Sequence, residues 1–214
     1  MKTIPHNYVW SKRGLPLRSV LVEWVNVIDE LAKRWQKDRD VPWWYNERAD
    51  LSTLAAGIWR SGGHALEEFS TEKRKIGETT GRLFGNYTGR LDMYFETAGG
   101  ANFYVECKSC WSGIGQPGVK QVNRIRKLLE VARQDVKKFH PHGGGRRLGV
   151  VFAKPYLDNS SKVDLRERVA AWLRLWDKRY FDAMAWAFPL ACKCGIGTEA
   201  RAPGVAVFIK ELKK

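Results

Sequence analysis

Gly89-Arg90-Leu91-Asp92-Met93-Tyr94-Phe95, followed after Ala98-Gly99-Gly100 by Phe103-Tyr104-Val105-Glu106-Cys107-Lys108, is the stretch that decides the fold. Both runs are rich in aromatic and β-branched residues, and a glycine turn separates them, so they read as a β-hairpin over 89–97 and 102–109. With the turn at 98–100, residues pair where their numbers sum to about 198, which sets Asp92 opposite Glu106. Side chains alternate along a strand, so Glu106 and Lys108 share a face and Cys107 points to the other. Two adjacent carboxylates repel unless a cation lies between them. A hard divalent ion such as Mg²⁺ takes carboxylate and carbonyl oxygens, so the Cys107 backbone carbonyl is a candidate third ligand. Lys108 is placed to serve a metal-bound water or to stabilise charge on a phosphate.

Outward from the hairpin, residues 118–139 read as a helix with the apolar seam Val122, Ile125, Leu129, Ala132, Val136 and Phe139. Leu148 to Ala153 reads as a buried strand. Upstream, 19–36 is an amphipathic helix with Ser19 as its N-cap, and 40–50 is an aromatic loop. A second helix begins near Asp50 or Ser52, is interrupted at Gly62-Gly63, and resumes over 64–75. Arg82 to Tyr87 reads as a short strand. Downstream, 164–176 is a helix, and 184–188 and 205–209 are strands. The class is α/β, bordering on α+β: a mixed central sheet flanked by helices. The expected organisation is an N-terminal helical, aromatic-rich extension over 1–50, a core over 51–157, and a C-terminal helix and strands over 158–214 that complete the same domain.

The charge is lopsided. The 214 residues carry a net charge of +14, yet residues 1–107 hold 15 basic and 14 acidic side chains, and residues 108–214 hold 22 and 9. The densest basic run is 120–147, a footprint expected of a polyanion binder. No apolar run is long enough to span a membrane, and Met1 to Val9 lack a signal core, so a cytoplasmic protein is expected.

The acid on one strand and the Glu-x-Lys on the next resemble the PD-(D/E)xK nuclease superfamily. Here Asp92 and Glu106-Cys107-Lys108 match, with Leu91 where a proline is frequent. The superfamily core runs helix, three-stranded meander, helix, strand, and the order read here over roughly 60–155 is similar. The resemblance implies a restriction-endonuclease-like αβββαβ core and a Mg²⁺-dependent deoxyribonuclease, expected to be an endonuclease, with Mn²⁺ able to substitute. It implies Asp92 and Glu106 as metal ligands, Lys108 as a catalytic group, and a further acid or histidine from the helix before the strands. Glu68 is the first choice for that position and His64 the second, with Glu67 and Glu72 open. The RecB-like branch has a similar Gly-x-His and G-x-x-D, as in Gly63-His64 and Gly89 to Asp92. Gln121 would stand for that branch's glutamine, but Ile125 occupies its tyrosine position. DNA would be gripped by Lys120, Arg124, Lys127, Arg133 and Lys137, and a homodimer fits the same resemblance. The other reading is a nuclease-like fold that binds nucleic acid without cutting it.

The four cysteines, Cys107, Cys110, Cys192 and Cys194, are too few for a disulfide scaffold. Their spacing also disfavours zinc or an iron–sulfur cluster. Of ten tryptophans, Trp24, Trp35, Trp59, Trp172 and Trp176 fall at core-like helical positions, whereas Trp43, Trp44 and Trp111 fall in loops.

Overall fold

A computed structural model describes residues 6–76, 83–139, 144–189, 195–196 and 200–213. The elements are β1 (Asn7–Ser11), α1 (Arg18–Arg34), α2 (Glu47–Arg60), β2 (His64–Ile76), β3 (Leu83–Glu96), β4 (Asn102–Gly113), α3 (Val119–Lys137), β5 (Arg146–Asp158), α4 (Leu165–Leu173), β6 (Ala183–Ala187), β7 (Gly195–Ile196), β8 (Ala200–Arg201) and β9 (Val205–Glu211). The sheet order is β1-β6-β9-β5-β4-β3-β2, with β8 joined to the end of β5 and β7 to β8. β4 and β5 are parallel and the other neighbours antiparallel, so the sheet is mixed. A parallel pair needs a crossover, and α3 supplies it.

Helices cover both faces. Leu21, Trp24 and Ile28 of α1 and Leu54 and Ile58 of α2 pack with Val105 and Cys107 of β4 and with Val150 and Phe152 of β5. Ile125 and Leu129 of α3 and Trp172 of α4 pack on the other face, against Val151, Ala153, Met184 and Phe208. Burial from both sides explains why β5, β6 and β9 are nearly unbroken apolar runs.

Two close approaches fix the layers. A Cβ on Gly57 would stand 2.8 Å from the Trp24 backbone, so this glycine lets α2 cross α1. A Cβ on Gly149 would stand 2.9 Å from the Arg133 nitrogen and 3.1 Å from the Leu129 oxygen, so α3 lies hard against β5.

The helix expected over 64–75 is instead β2, a strand paired with β3 along most of its length. Its Ala, Leu, Glu and Lys content favours a helix, but the outer edge of β3 needs a partner, and pairing overrides propensity. Gly62, at φ +83, stops α2, and Gly63 starts β2 where a Cβ would lie 2.3 Å from the Glu96 carbonyl oxygen. The three-stranded meander is therefore β2, β3 and β4. The strand expected over 82–87 is not separate, because its described residues form the first part of β3. The expected helix near 50 starts earlier, at Glu47, where Asn46 caps it by accepting from the Ala49 N–H at 3.2 Å. Ser19 does not cap α1; the cap position is Leu17, buried in the core. Trp59, expected inside, is 54 % exposed.

The ribbon of β2 and β3 changes face at one residue. Glu67 pairs with Met93 and accepts from the Ser52 hydroxyl of α2, so it faces the first helical layer. Phe69 pairs with Leu91, and both pack on Val136 and Phe139 at the end of α3. A regular strand would keep 67 and 69 on one face. Glu68 between them sits at φ +48, a left-handed conformation costly outside glycine, and there the faces swap.

Candidate functional site

The ladder between β3 and β4 ends at Met93 and Val105. The next residues would be Asp92 and Glu106, the pair expected from the hairpin turn. Instead of continuing the ladder, β3 turns away with the ribbon. The Asp92 carboxylate then accepts the Cys107 backbone N–H at 2.7 Å. Glu47, at the start of α2, lies close enough to feel the charges of Lys108 and Asp92. The N–H and C=O of one strand residue open on the same edge, so the Cys107 carbonyl lies beside the Asp92 carboxylate. Asp92 and the Cys107 carbonyl therefore meet at the free edge of β4, with Glu47 near them.

Glu106 is 4 % exposed, and burial first, then Asp92, raises its pKa to about 7. Lys73 of β2 counters this with an ion pair of 2.5 Å to Glu106 Oε1. Lys108 pairs with Asp135 of α3 at 3.4 Å. Burial works against the charged lysine, but Asp135, Glu47, Asp92 and Glu106 outweigh it and raise its pKa, so Lys108 stays an ammonium. Such a group stabilises negative charge on a phosphate; it is not poised as a base. Burial also raises the Glu47 pKa, and Asp92 adds to it.

Beneath this edge lies a second, closed polar set. Asp50 and Lys154, each 2 % exposed, form an ion pair of 2.7 Å. The Ser109 hydroxyl donates to Asp50 at 2.7 Å, and the Lys154 ammonium donates to the Tyr45 carbonyl at 2.8 Å. The Ser109 hydroxyl thus ties β4 to α2.

Of the residues expected from the sequence, Asp92, Glu106, Lys108 and the Cys107 carbonyl come together. Glu68 and His64 do not join them, because the helix meant to carry them is a strand. Glu68 lies beside Asp92 in the ribbon, but its carboxylate is taken by Arg48 at 2.7 Å and Arg90 at 3.3 Å. His64 pairs with Glu96, four residues from Asp92, and its ring packs edge-on against Trp59. The helix that does precede the meander is α2, and the acid it carries nearest Asp92 and Lys108 is Glu47. Its signal was available: an acid in the first turn after an Asn cap. Lys73, Asp50, Lys154 and Asp135 carried no local signal.

Along α3, Lys120, Arg124 and Lys127 form an exposed stripe, three and four residues apart. Arg133 is ion-paired to Glu130 at 2.6 Å, and Lys137 is half-buried near the helix end. Gln121 is committed to the loop before α3, accepting from the Gly118 N–H and donating to the Gly113 carbonyl. Cys107 and Cys110 are buried free thiols on opposite faces of the sheet, so they form no metal half-site. Cys192 and Cys194 lie outside the described residues. Among the described residues no three His, Cys, Asp or Glu side chains stand together as a preformed metal cluster. The donors that do converge at the β4 edge are hard oxygens, a set suited to Mg²⁺ or Mn²⁺ and not to a soft metal.

Fold and site thus define an α/β protein with an acid-and-lysine cluster where two strands of its mixed sheet part. No protein-family model, curated protein or solved structure matches the chain. Among the described residues no helix is long and apolar enough to cross a membrane.

Proposed function

We propose that the protein is a Mg²⁺-dependent nuclease acting on DNA as an endonuclease in the cytoplasm, with a PD-(D/E)xK, restriction-endonuclease-like core. The observation that carries this reading is the Asp92 carboxylate held on the Cys107 N–H of the β4 edge, with Glu106 and Lys108 beside it. The order α2, β2-β3-β4, α3, β5 matches the helix, meander, helix, strand of that superfamily. Asp92, Glu106 and the Cys107 carbonyl would hold the ion, with the Glu47 charge close by. Bound there, Mg²⁺ would polarise the phosphate and acidify a water. Lys108, kept charged by Asp135, offsets the negative charge that builds on the phosphate in the transition state. The stripe Lys120, Arg124 and Lys127 gives the backbone of the nucleic acid a place to lie.

A second reading, binding without cleavage, draws on the Lys73–Glu106 pair, which already balances the more buried acid. One assay separates the two. Supercoiled, linear and single-stranded DNA, and RNA, are incubated in Mg²⁺, Mn²⁺ or EDTA with the unaltered protein, Asp92→Ala and Lys108→Ala. The nuclease reading expects metal-dependent cleavage that drops about 10²–10³-fold in either variant. Cleavage that survives both substitutions removes the proposed site. Binding without cleavage of any substrate selects the second reading.

A further inference from the structure

Lys73 is an unusual neighbour for a metal-ligand candidate. It comes from β2, two strands away from β4 in the sheet, and only 7 % of it is exposed. Its path to Glu106 is built. The ribbon switch at Glu68 turns Phe69, Thr71 and Lys73 toward α3, and the Arg74 N–H bonds the Lys138 carbonyl at 2.8 Å, holding β2 against the helix end. The Lys73 stem crosses Gly89, where a Cβ would lie 2.8 Å from its Cδ. At the far end the ammonium meets Glu106 Oε1 at 2.5 Å. A buried cation with a glycine-cleared channel and a single carboxylate at its end is a specified contact, since a buried lysine without its partner is costly.

We propose that Lys73 is a built-in competitor of the divalent ion for Glu106, so that loading of the ion and release of the Lys73 ammonium are one event. This rests on the reading of Glu106 as a metal ligand. Lys73 already holds Oε1 of a carboxylate that is nearly closed to water, so an arriving ion meets an ammonium on the same group. Coulomb repulsion between an ammonium and a divalent ion on one carboxylate is strong in such surroundings. Displaced, the lysine remains anchored on β2 by the contacts at Arg74. It then lies at the site as a second ammonium beside Lys108, available to a phosphate oxygen. The affinity of the site for its ion would thus be set by a residue that is not a ligand.

The test uses the full chain and Mg²⁺ itself. Isothermal titration of Mg²⁺ is run on the unaltered protein, Lys73→Met, Lys73→Arg and Glu106→Gln. The proposal expects Lys73→Met to bind Mg²⁺ at least about tenfold more tightly, Lys73→Arg to bind no more tightly than the unaltered protein, and Glu106→Gln to lose binding. Equal or weaker binding by Lys73→Met, with the unaltered protein still binding, overturns the competition and leaves the nuclease reading standing. No binding by the unaltered protein and by Lys73→Met alike overturns the metal-ligand reading itself. A second measurement needs no substitution and does not depend on the folding of Lys73→Met. The unaltered protein is reductively methylated with and without saturating Mg²⁺, and modification at Lys73 is read by mass spectrometry. Protection in EDTA and exposure in Mg²⁺ are expected; protection in both overturns the proposal.

Discussion

At the scale of single residues, the buried acids Glu106 and Asp50 impose a sign on the pH dependence of stability. Burial raises Glu106 to about 7 and Asp50 to about 6, in each case against the pull of a paired lysine. Both values lie above those of the same groups in an unfolded chain, roughly 4. Between these limits the folded protein holds more protons than the unfolded one. The stability these two groups confer is complete below about pH 4 and is lost as the pH rises toward 6 and 7. Glu106, the more strongly raised of the two, accounts for the larger share of the loss across that window. Thermal unfolding followed from pH 4 to 8 should therefore show a falling Tm, and Glu106→Gln should flatten the fall. An unchanged slope in that variant would show that Glu106 is not the group being titrated. The lowered acids Asp135, Asp182 and Glu211 act on the other side, losing their contribution only as the pH drops into the range of ordinary carboxylates and below. Asp92 opposite Glu106 was legible from a glycine turn and a parity rule, because hairpin register is a local property. The pair of Lys73 with Glu106 was not, because 33 residues separate them and their meeting depends on a left-handed residue at Glu68.

At the scale of elements, the site depends on α3 staying pressed to the sheet. Asp135, which holds Lys108, is on that helix, and Gly149 is what lets the helix come close. In Gly149→Ala the new Cβ meets Arg133 nitrogen and Leu129 oxygen, backbone atoms that cannot turn aside. The helix must lift, at about 1–3 kcal/mol, and Lys108 loses part of its hold. Urea unfolding should show that loss, while Gly99→Ala, whose Cβ has no neighbour closer than 4.0 Å, should fall within about 0.5 kcal/mol of the unaltered protein. A normal stability for Gly149→Ala would mean that α3 and β5 have slack between them. The same helix was the easiest element to read, since Val122 to Val136 make one apolar seam turned to the sheet. The hardest was β2. Its residues favour a helix one by one, and only the unpaired edge of β3, invisible in a window of a dozen residues, makes it a strand. With 64–76 a strand, the helix that precedes the meander is α2, which carries Glu47, and Glu68 and His64 lie in the ribbon instead.

At the scale of the whole molecule, the excess of positive charge divides into committed and uncommitted cations. Lys154 and Lys73 are buried on Asp50 and Glu106, and Arg146 and Arg133 are paired with Glu211 and Glu130. The first three pairs join separate elements, the last lies within α3, and all four cations are already balanced. Lys120, Arg124 and Lys127 are exposed along one side of α3, so on the proposed reading they are the cations that would displace counterions from a phosphate backbone. Each phosphate neutralised on duplex DNA steepens the fall of log K with log salt by about 0.9, so replacing the three with glutamine should make that slope shallower by about 2–3. Arg133→Gln, though part of the same basic run, should leave the slope nearly unchanged, because its guanidinium already has an acid. Binding of a duplex too short to wrap the protein, measured between low and moderate salt, separates the two cases. If Arg133→Gln shifts the slope as much as one of the exposed residues does, the Glu130 pair opens on binding and the grip extends further along α3. If the triple substitution leaves it unchanged, the polyanion lies elsewhere, and the ribbon of β2 and β3, with exposed Arg74 and Arg90 beside the acid cluster, becomes the surface to probe.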